Sequence, residues 1–145
     1  MWTTEHSAET SAPTETVWEL YEDVTTWPEW NAAVDKVELD GPFAAGTTGQ
    51  LSPAGQGPLP FRVVTAEQYE SYTSETEIAD TVTLRLTNAL TTLPGGGTRI
   101  THRAELVGPA AEYFGQAFGA QLGAGVPKSV AALAALAAER SGGAA

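Results

Sequence analysis

Cysteine is missing altogether from these 145 residues. Its absence removes disulfides, thiol nucleophiles, thiolate metal sites and iron-sulfur clusters, and suits a cytoplasmic location. Positive charge is scarce: 7 Lys and Arg stand against 18 Asp and Glu, a net charge of -11. A surface that negative repels phosphate backbones and anionic headgroups, so nucleic acid is not an expected partner. Long apolar runs are lacking too. The uncharged stretch 113–127 is interrupted by glycine and glutamine and falls short of the roughly 20 apolar residues of a bilayer span. No membrane insertion is expected, and the opening Met1, Trp2, Thr3, Thr4, Glu5 has neither the basic nor the apolar region of a secretory signal.

What is present describes a soluble globule of one domain, with 42% hydrophobic and 17% charged residues. The acids crowd into residues 1–80, which hold 15 of the 18, whereas residues 81–145 hold 5 of the 7 bases. Residues 2–10 alternate with Thr and Glu and read as a half-buried strand. Pro13 suits a first helical position, Glu15 its first turn, and Val17, Leu20, Tyr21 and Val24 repeat at helical spacing. Pro28 starts a second, smaller helical turn carrying Trp27, Trp30 and Asn31. Strand texture begins at Val34 and closes at Asp40, Gly41 and Pro42. Further strands are predicted over 47–52, 61–68, 71–77, 81–92 and 98–107, with a Pro- and Gly-rich loop over 53–60. Gly108 and Pro109 end the sheet. A long helix follows, with the stripe Phe114, Phe118, Leu122, Val126, Val130, Leu133 and Ala137. Pro127, preceded by Gly123 and Gly125, predicts a kink or break over 123–127, and residues 141–145 read as a flexible tail.

The last hairpin permits a register. A turn centred near Gly95 pairs Leu90 with Ile100, Asn88 with His102, Leu86 with Ala104 and Leu84 with Leu106, so one face is apolar apart from a single polar pair. The other face carries Arg85, Thr87, Arg99, Thr101, Arg103 and Glu105 and reads as solvent, with ion pairing to acids such as Glu75 or Glu105. Phe61, Val63 and Val64 compete for the inward direction and leave Arg62 undecided.

A strand, two short helices, a six-strand meander and one long helix can bury the sheet's inner face only if the sheet curls around that helix. Pro13, Val17 and Trp18, the string Asp23, Val24, Trp27, Pro28, Trp30, Asn31, and the segments 38–49, 57–64 and 97–108 resemble the polyketide cyclase/dehydrase branch of the START and birch-pollen-allergen (SRPBCC) superfamily. The resemblance covers nearly the whole chain and implies an α+β helix-grip fold: a curved, antiparallel, seven-stranded sheet wrapped around a long C-terminal helix, as one domain over residues 1–140. It also implies an elongated hydrophobic cavity between sheet and helix, with a lid near Trp30 and Asn31. Gly115, Gly119 and Gly123 leave a groove along the helix, open either to close backbone packing or to a ligand.

His102, set among Ile100, Ala104 and Leu106, is costly to bury unless hydrogen-bonded, and Asn88 is its expected partner. His6 shares the parity of Trp2 and Thr4; the implied topology makes it a neighbour of His102, but a water-facing position at a sheet edge is the favoured reading. Two histidines make a poor zinc site, so no metal and no cofactor is expected. Tyr69 and Tyr72 could offer hydroxyls to a pocket or cap a sheet edge. The candidate ligand contacts are Trp30, Asn31, Phe61, Tyr72, Leu84, Leu86, Asn88, Ile100, His102, Phe114, Phe118 and Leu122. The expected activity is binding of an aromatic, polyketide-like or lipid-like small molecule by a monomer or homodimer. The alternative is cyclisation or dehydration of a polyketide intermediate, with His102 as proton shuttle, Asn88 orienting it and a tyrosine polarising a carbonyl. A protein-interaction module is a third reading.

Overall fold

The computed structural model describes residues 2–79 and 81–142. Alternation makes Trp2–Thr10 the first strand, β1, and its burial alternates with the sequence. Helix α1 spans Thr14–Glu22 and buries Val17, Trp18, Leu20 and Tyr21, the face that the helical spacing marks. Pro13 sits one place before it, extended at φ -72° and ψ 164°, rather than at the first helical position. Asp23 then accepts from the Thr25 N–H and opens a 3-10 turn, Val24–Thr26, which runs into the single-turn helix α2, Trp27–Trp30. The Trp27 indole N–H donates to the Tyr21 carbonyl at 3.0 Å, and Thr26 Oγ1 donates to the Leu20 carbonyl at 2.7 Å, so the two helices are tied by buried bonds.

Six strands follow: β2 Val34–Leu39, β3 Thr48–Pro53, β4 Leu59–Glu67, β5 Ser71–Ala79, β6 Val82–Thr92 and β7 Thr98–Val107. The sheet order is β1-β7-β6-β5-β4-β3-β2 with every pairing antiparallel, so the meander is extended at its far end by the first strand. The hairpin register is the one that the turn near Gly95 requires: Leu90 opposes Ile100, Asn88 opposes His102, Leu86 opposes Ala104 and Leu84 opposes Leu106. A bulge between Val63 and Thr65 re-aims β4. Phe61 and Val63 therefore face inward, and Arg62 joins the outer face against Glu75. Gly108 sits at φ 115°, where a side chain would also meet the Thr81 backbone.

Helix α3 runs unbroken over Ala111–Gly142, so the predicted break at 123–127 does not occur and Pro127 is inside the helix. The missing hydrogen bond is tolerated because Ser129, Val130, Leu133, Ala134 and Ala137 are buried just beyond it. The helix also takes in Ser141 and Gly142, the first residues of the expected tail; residues 143–145 lie outside the described ones. By length and composition α3 also passes for a membrane span, with mean hydropathy 1.2 over its most apolar window. Here it lies over β1 and β7 as the gripped helix of a helix-grip fold. The groove left by its glycines is filled. A Cβ at Gly115 would lie 2.7 Å from Trp2 Cβ, and one at Gly119 would lie 2.5 Å from Trp2 Nε1.

Candidate functional site

Inward parity on β5, β6 and β7 brings Tyr72, Asn88 and His102 side by side, and α1 lowers Tyr21 onto them. The His102 and Asn88 side chains do not bond each other as expected; each bonds a tyrosine. His102 Nε2 and Tyr21 Oη are 2.8 Å apart, and Asn88 Nδ2 donates to Tyr72 Oη at 2.7 Å. The Tyr21 ring meets Tyr72 edge-on at 4.8 Å, and Trp30 lies 5.9 Å from His102. All of these residues are buried.

Burial pushes the His102 imidazole down to about 3. It pushes the Tyr21 phenol well up, with Tyr72 adding to the effect, and raises Tyr72 despite the opposing bond from Asn88. The four-residue network is therefore uncharged at neutral pH. Three buried side-chain atoms around it have no partner among the described residues: Trp30 Nε1, Ser74 Oγ and Asn88 Oδ1. An unmet buried group costs about 1–3 kcal/mol, so each of the three calls for a partner.

The apolar packing is divided in two. One cluster gathers Trp18, Tyr21, Trp27, Trp30, Phe61, Tyr72 and Ile100 with Val130 and Leu133 of α3. The other gathers Val82, Leu106 and Ala111 with Trp2, Leu84, Phe114 and Leu122. Leu86 and Ala104 face each other on the inner side, with Ser74 opposite Leu86, and belong to neither cluster. They mark a seam between the two. Phe118 stacks on Phe114 at 4.7 Å and is 45% exposed, and Leu84, Leu86 and Leu122 are half-buried, so the layer is loosely closed at this end.

The expected ligand contacts thus fall into two groups. Trp30, Phe61, Tyr72, Asn88, Ile100 and His102 sit in the first cluster or its polar network, with Phe61 edge-on to Trp27. Leu84, Phe114, Phe118 and Leu122 surround the loose end, and Leu86 lies between. Two expectations need correction. Trp30, expected at a cavity mouth, is 3% exposed, and the half-buried Asn31 accepts from the Ala33 N–H through its amide oxygen at the end of α2. Aromatic side chains fill the half of the layer under α1 and α2, so among the described residues the elongated cavity expected between sheet and C-terminal helix does not extend there. Two shallow depressions of about 340 and 310 Å³ lie elsewhere, along the Arg62–Glu75 side and the β2–β3 edge.

His6 opposes His102 across β1 and β7, half-buried on the inner side with a 3.2 Å bond to Thr4 Oγ1, and so does not face water freely. Tyr69 is 41% exposed at the β4–β5 turn. Tyr21 and Ser74 are the residues that sequence reasoning left out. Ser74 shares the parity of Tyr72, which was signal enough; nothing in the spacing says where α1 crosses the sheet.

The family model for polyketide cyclase / dehydrase and lipid transport proteins matches residues 1–139. The chain belongs to that family. No curated protein matches it. Among solved structures, this family member is similar to protein MLL2253 of Mesorhizobium loti, with TM-score 0.72, 21% identity, and 93% of this chain and 96% of that one covered. It is similar to truncated norcoclaurine synthase of Thalictrum flavum, with TM-score 0.71, 15% identity, and 93% and 92% covered. A START superfamily protein of Mycobacterium smegmatis gives TM-score 0.64 at 14% identity over 99% of each chain. At these identities the likeness is one of fold, the helix-grip fold that this cyclase/dehydrase-family chain shares with them.

Proposed function

We propose that the chain binds an aromatic or polyketide-like hydrophobic small molecule in the layer between sheet and α3, entered from the Leu84–Phe118 end and reaching Leu86. The observation that carries this reading is the seam: Leu86 and Ala104 belong to neither apolar cluster, and orphaned polar atoms adjoin them. Family membership supports the same reading. Turnover by His102 has less support, because an imidazole held near 3 is a weak proton acceptor at neutral pH.

A thermal-shift screen of hydrophobic probes tests the proposal. A probe at 100 times its Kd should stabilise the fold by about 2.7 kcal/mol. Leu86→Trp, which fills the seam, should abolish that shift while the free protein still unfolds cooperatively. No shift with any probe, or full binding in Leu86→Trp, would overturn the reading.

A further inference from the structure

The orphaned atoms differ in kind, and that difference describes a guest. Asn88 Oδ1 is a carbonyl oxygen and can only accept a hydrogen bond, and the bond from Nδ2 to Tyr72 fixes it as the end of the amide left without a partner. The Ser74 hydroxyl can donate, and no partner takes its proton. Asn88 opposes Tyr72, and Ser74 is two places along the same strand, so the two side chains are diagonal neighbours on the inner face. Such neighbours stand about 7–8 Å apart, within reach of two polar groups on one aromatic skeleton. Both residues are at most 2% exposed.

Among the described residues the same space offers no positive charge. Arg62 and Arg85 are held by Glu75 on the outer face, Arg99 by Glu9, Arg103 by Glu105 and Arg140 by Glu29. Lys36 pairs with Glu38, and Lys128 is exposed. These are all 7 Lys and Arg side chains of the sequence. An anion entering the seam would lose its water and gain no counter-charge, which is prohibitive for a carboxylate or a phosphate.

We infer that the ligand is a neutral hydroxy-ketone on an aromatic skeleton, its hydroxyl donating to Asn88 Oδ1 and its carbonyl accepting from Ser74 Oγ. This rests on the binding reading above and adds the ligand's polar signature to it. It also separates this chain from carriers of fatty acids or other anionic lipids.

The test is a titration of the full chain with three molecules of one shape: meta-hydroxyacetophenone, its apolar counterpart meta-ethyltoluene, and the anion meta-toluate. In the wild type the hydroxy-ketone should bind about 10-fold tighter than meta-ethyltoluene, as two net hydrogen bonds allow, and meta-toluate should bind weakest. Ser74→Ala breaks no bond of the fold and should cut the hydroxy-ketone's advantage about threefold while leaving meta-ethyltoluene unchanged. Asn88→Leu should reduce the advantage likewise. Equal affinity for the hydroxy-ketone and meta-ethyltoluene, tightest binding of meta-toluate, or a Ser74→Ala change that affects both neutral probes alike would overturn the inference and leave the binding reading standing. Binding of none of the three, with no shift in the wider screen, would overturn the binding reading itself.

Discussion

His102 shows how a single side chain can carry a measurable signature of this interior. Its folded pKa of about 3 lies below the unfolded value, so the folded protein holds it neutral where the unfolded chain takes up a proton. Its contribution is complete above about pH 6.5 and is lost as pH falls, by up to about 1.4 kcal/mol per unit down to about pH 3. At about pH 4.5 the loss is about 2–3 kcal/mol. Glu75 behaves in another window. Burial alone raises its carboxyl, but bonds from Arg62 and Arg85 outweigh that and hold it low, so its contribution fades only below the ordinary carboxylate range. The unfolding free energy from denaturant titrations should therefore fall between pH ~6.5 and ~4.5 in the wild type, and by about 2–3 kcal/mol less in His102→Phe. Parallel pH profiles for the two proteins would show that His102 is not held neutral. At this scale the sequence revealed the face of His102 and Asn88 but not their partners. Parity decides which side of a sheet a residue occupies, whereas the bond to Tyr21 depends on how a helix crosses that sheet, and no local spacing records it.

Among elements, α3 and β1 depend on each other most directly. Gly115 and Gly119 accept the Trp2 ring so closely that a methyl at either position collides with it. Gly115→Ala meets Trp2 at Cβ, near the backbone, where little can give. Even with about 1 kcal/mol regained from helix propensity, the change should cost about 1–2 kcal/mol in chemical denaturation. The control Gly125→Ala, where a Cβ meets nothing within 4 Å, should stabilise instead. A neutral or stabilising Gly115→Ala would mean that Trp2 does not occupy the groove. The glycine repeat was visible in the sequence, but its occupant was not, because Trp2 is distant in the chain. Pro127 misled for a related reason. Its local penalty is real, and packing of Val130, Leu133 and Ala137 against the sheet overrides it. The β6–β7 register, by contrast, was readable because a tight glycine turn and an alternating pattern agree on one answer.

Across the whole molecule, charge is partitioned: neutral polar groups inside, ion pairs on the outer face, and a large acidic excess over the surface. With a net charge of -11, self-repulsion opposes compaction more than the exposed pairs support it. Raising NaCl from about 0.02 to 0.5 M should therefore raise Tm by a few degrees. A fall in Tm would mean that the Arg62–Glu75–Arg85 ladder outweighs the repulsion. The fold class was legible from the order of elements, since a meander with one long helix has few ways to bury its face. The packed state of the layer was not, because whether six aromatic rings fill a space depends on volumes that periodicity does not carry.

The strand order has a further consequence. Trp2 pairs with Leu106, and among the described residues β1 is hydrogen-bonded to no strand but β7. During synthesis the opening segment leaves the ribosome with its hydrogen-bonding edge unanswered, and at about 5–20 residues per second it waits roughly 5–20 s for its mate to be made. Completion of the sheet is thus a late, long-range closure. A chaperone that shields the nascent segment, or a slow codon stretch before β7, would act on the yield of this protein before any ligand could.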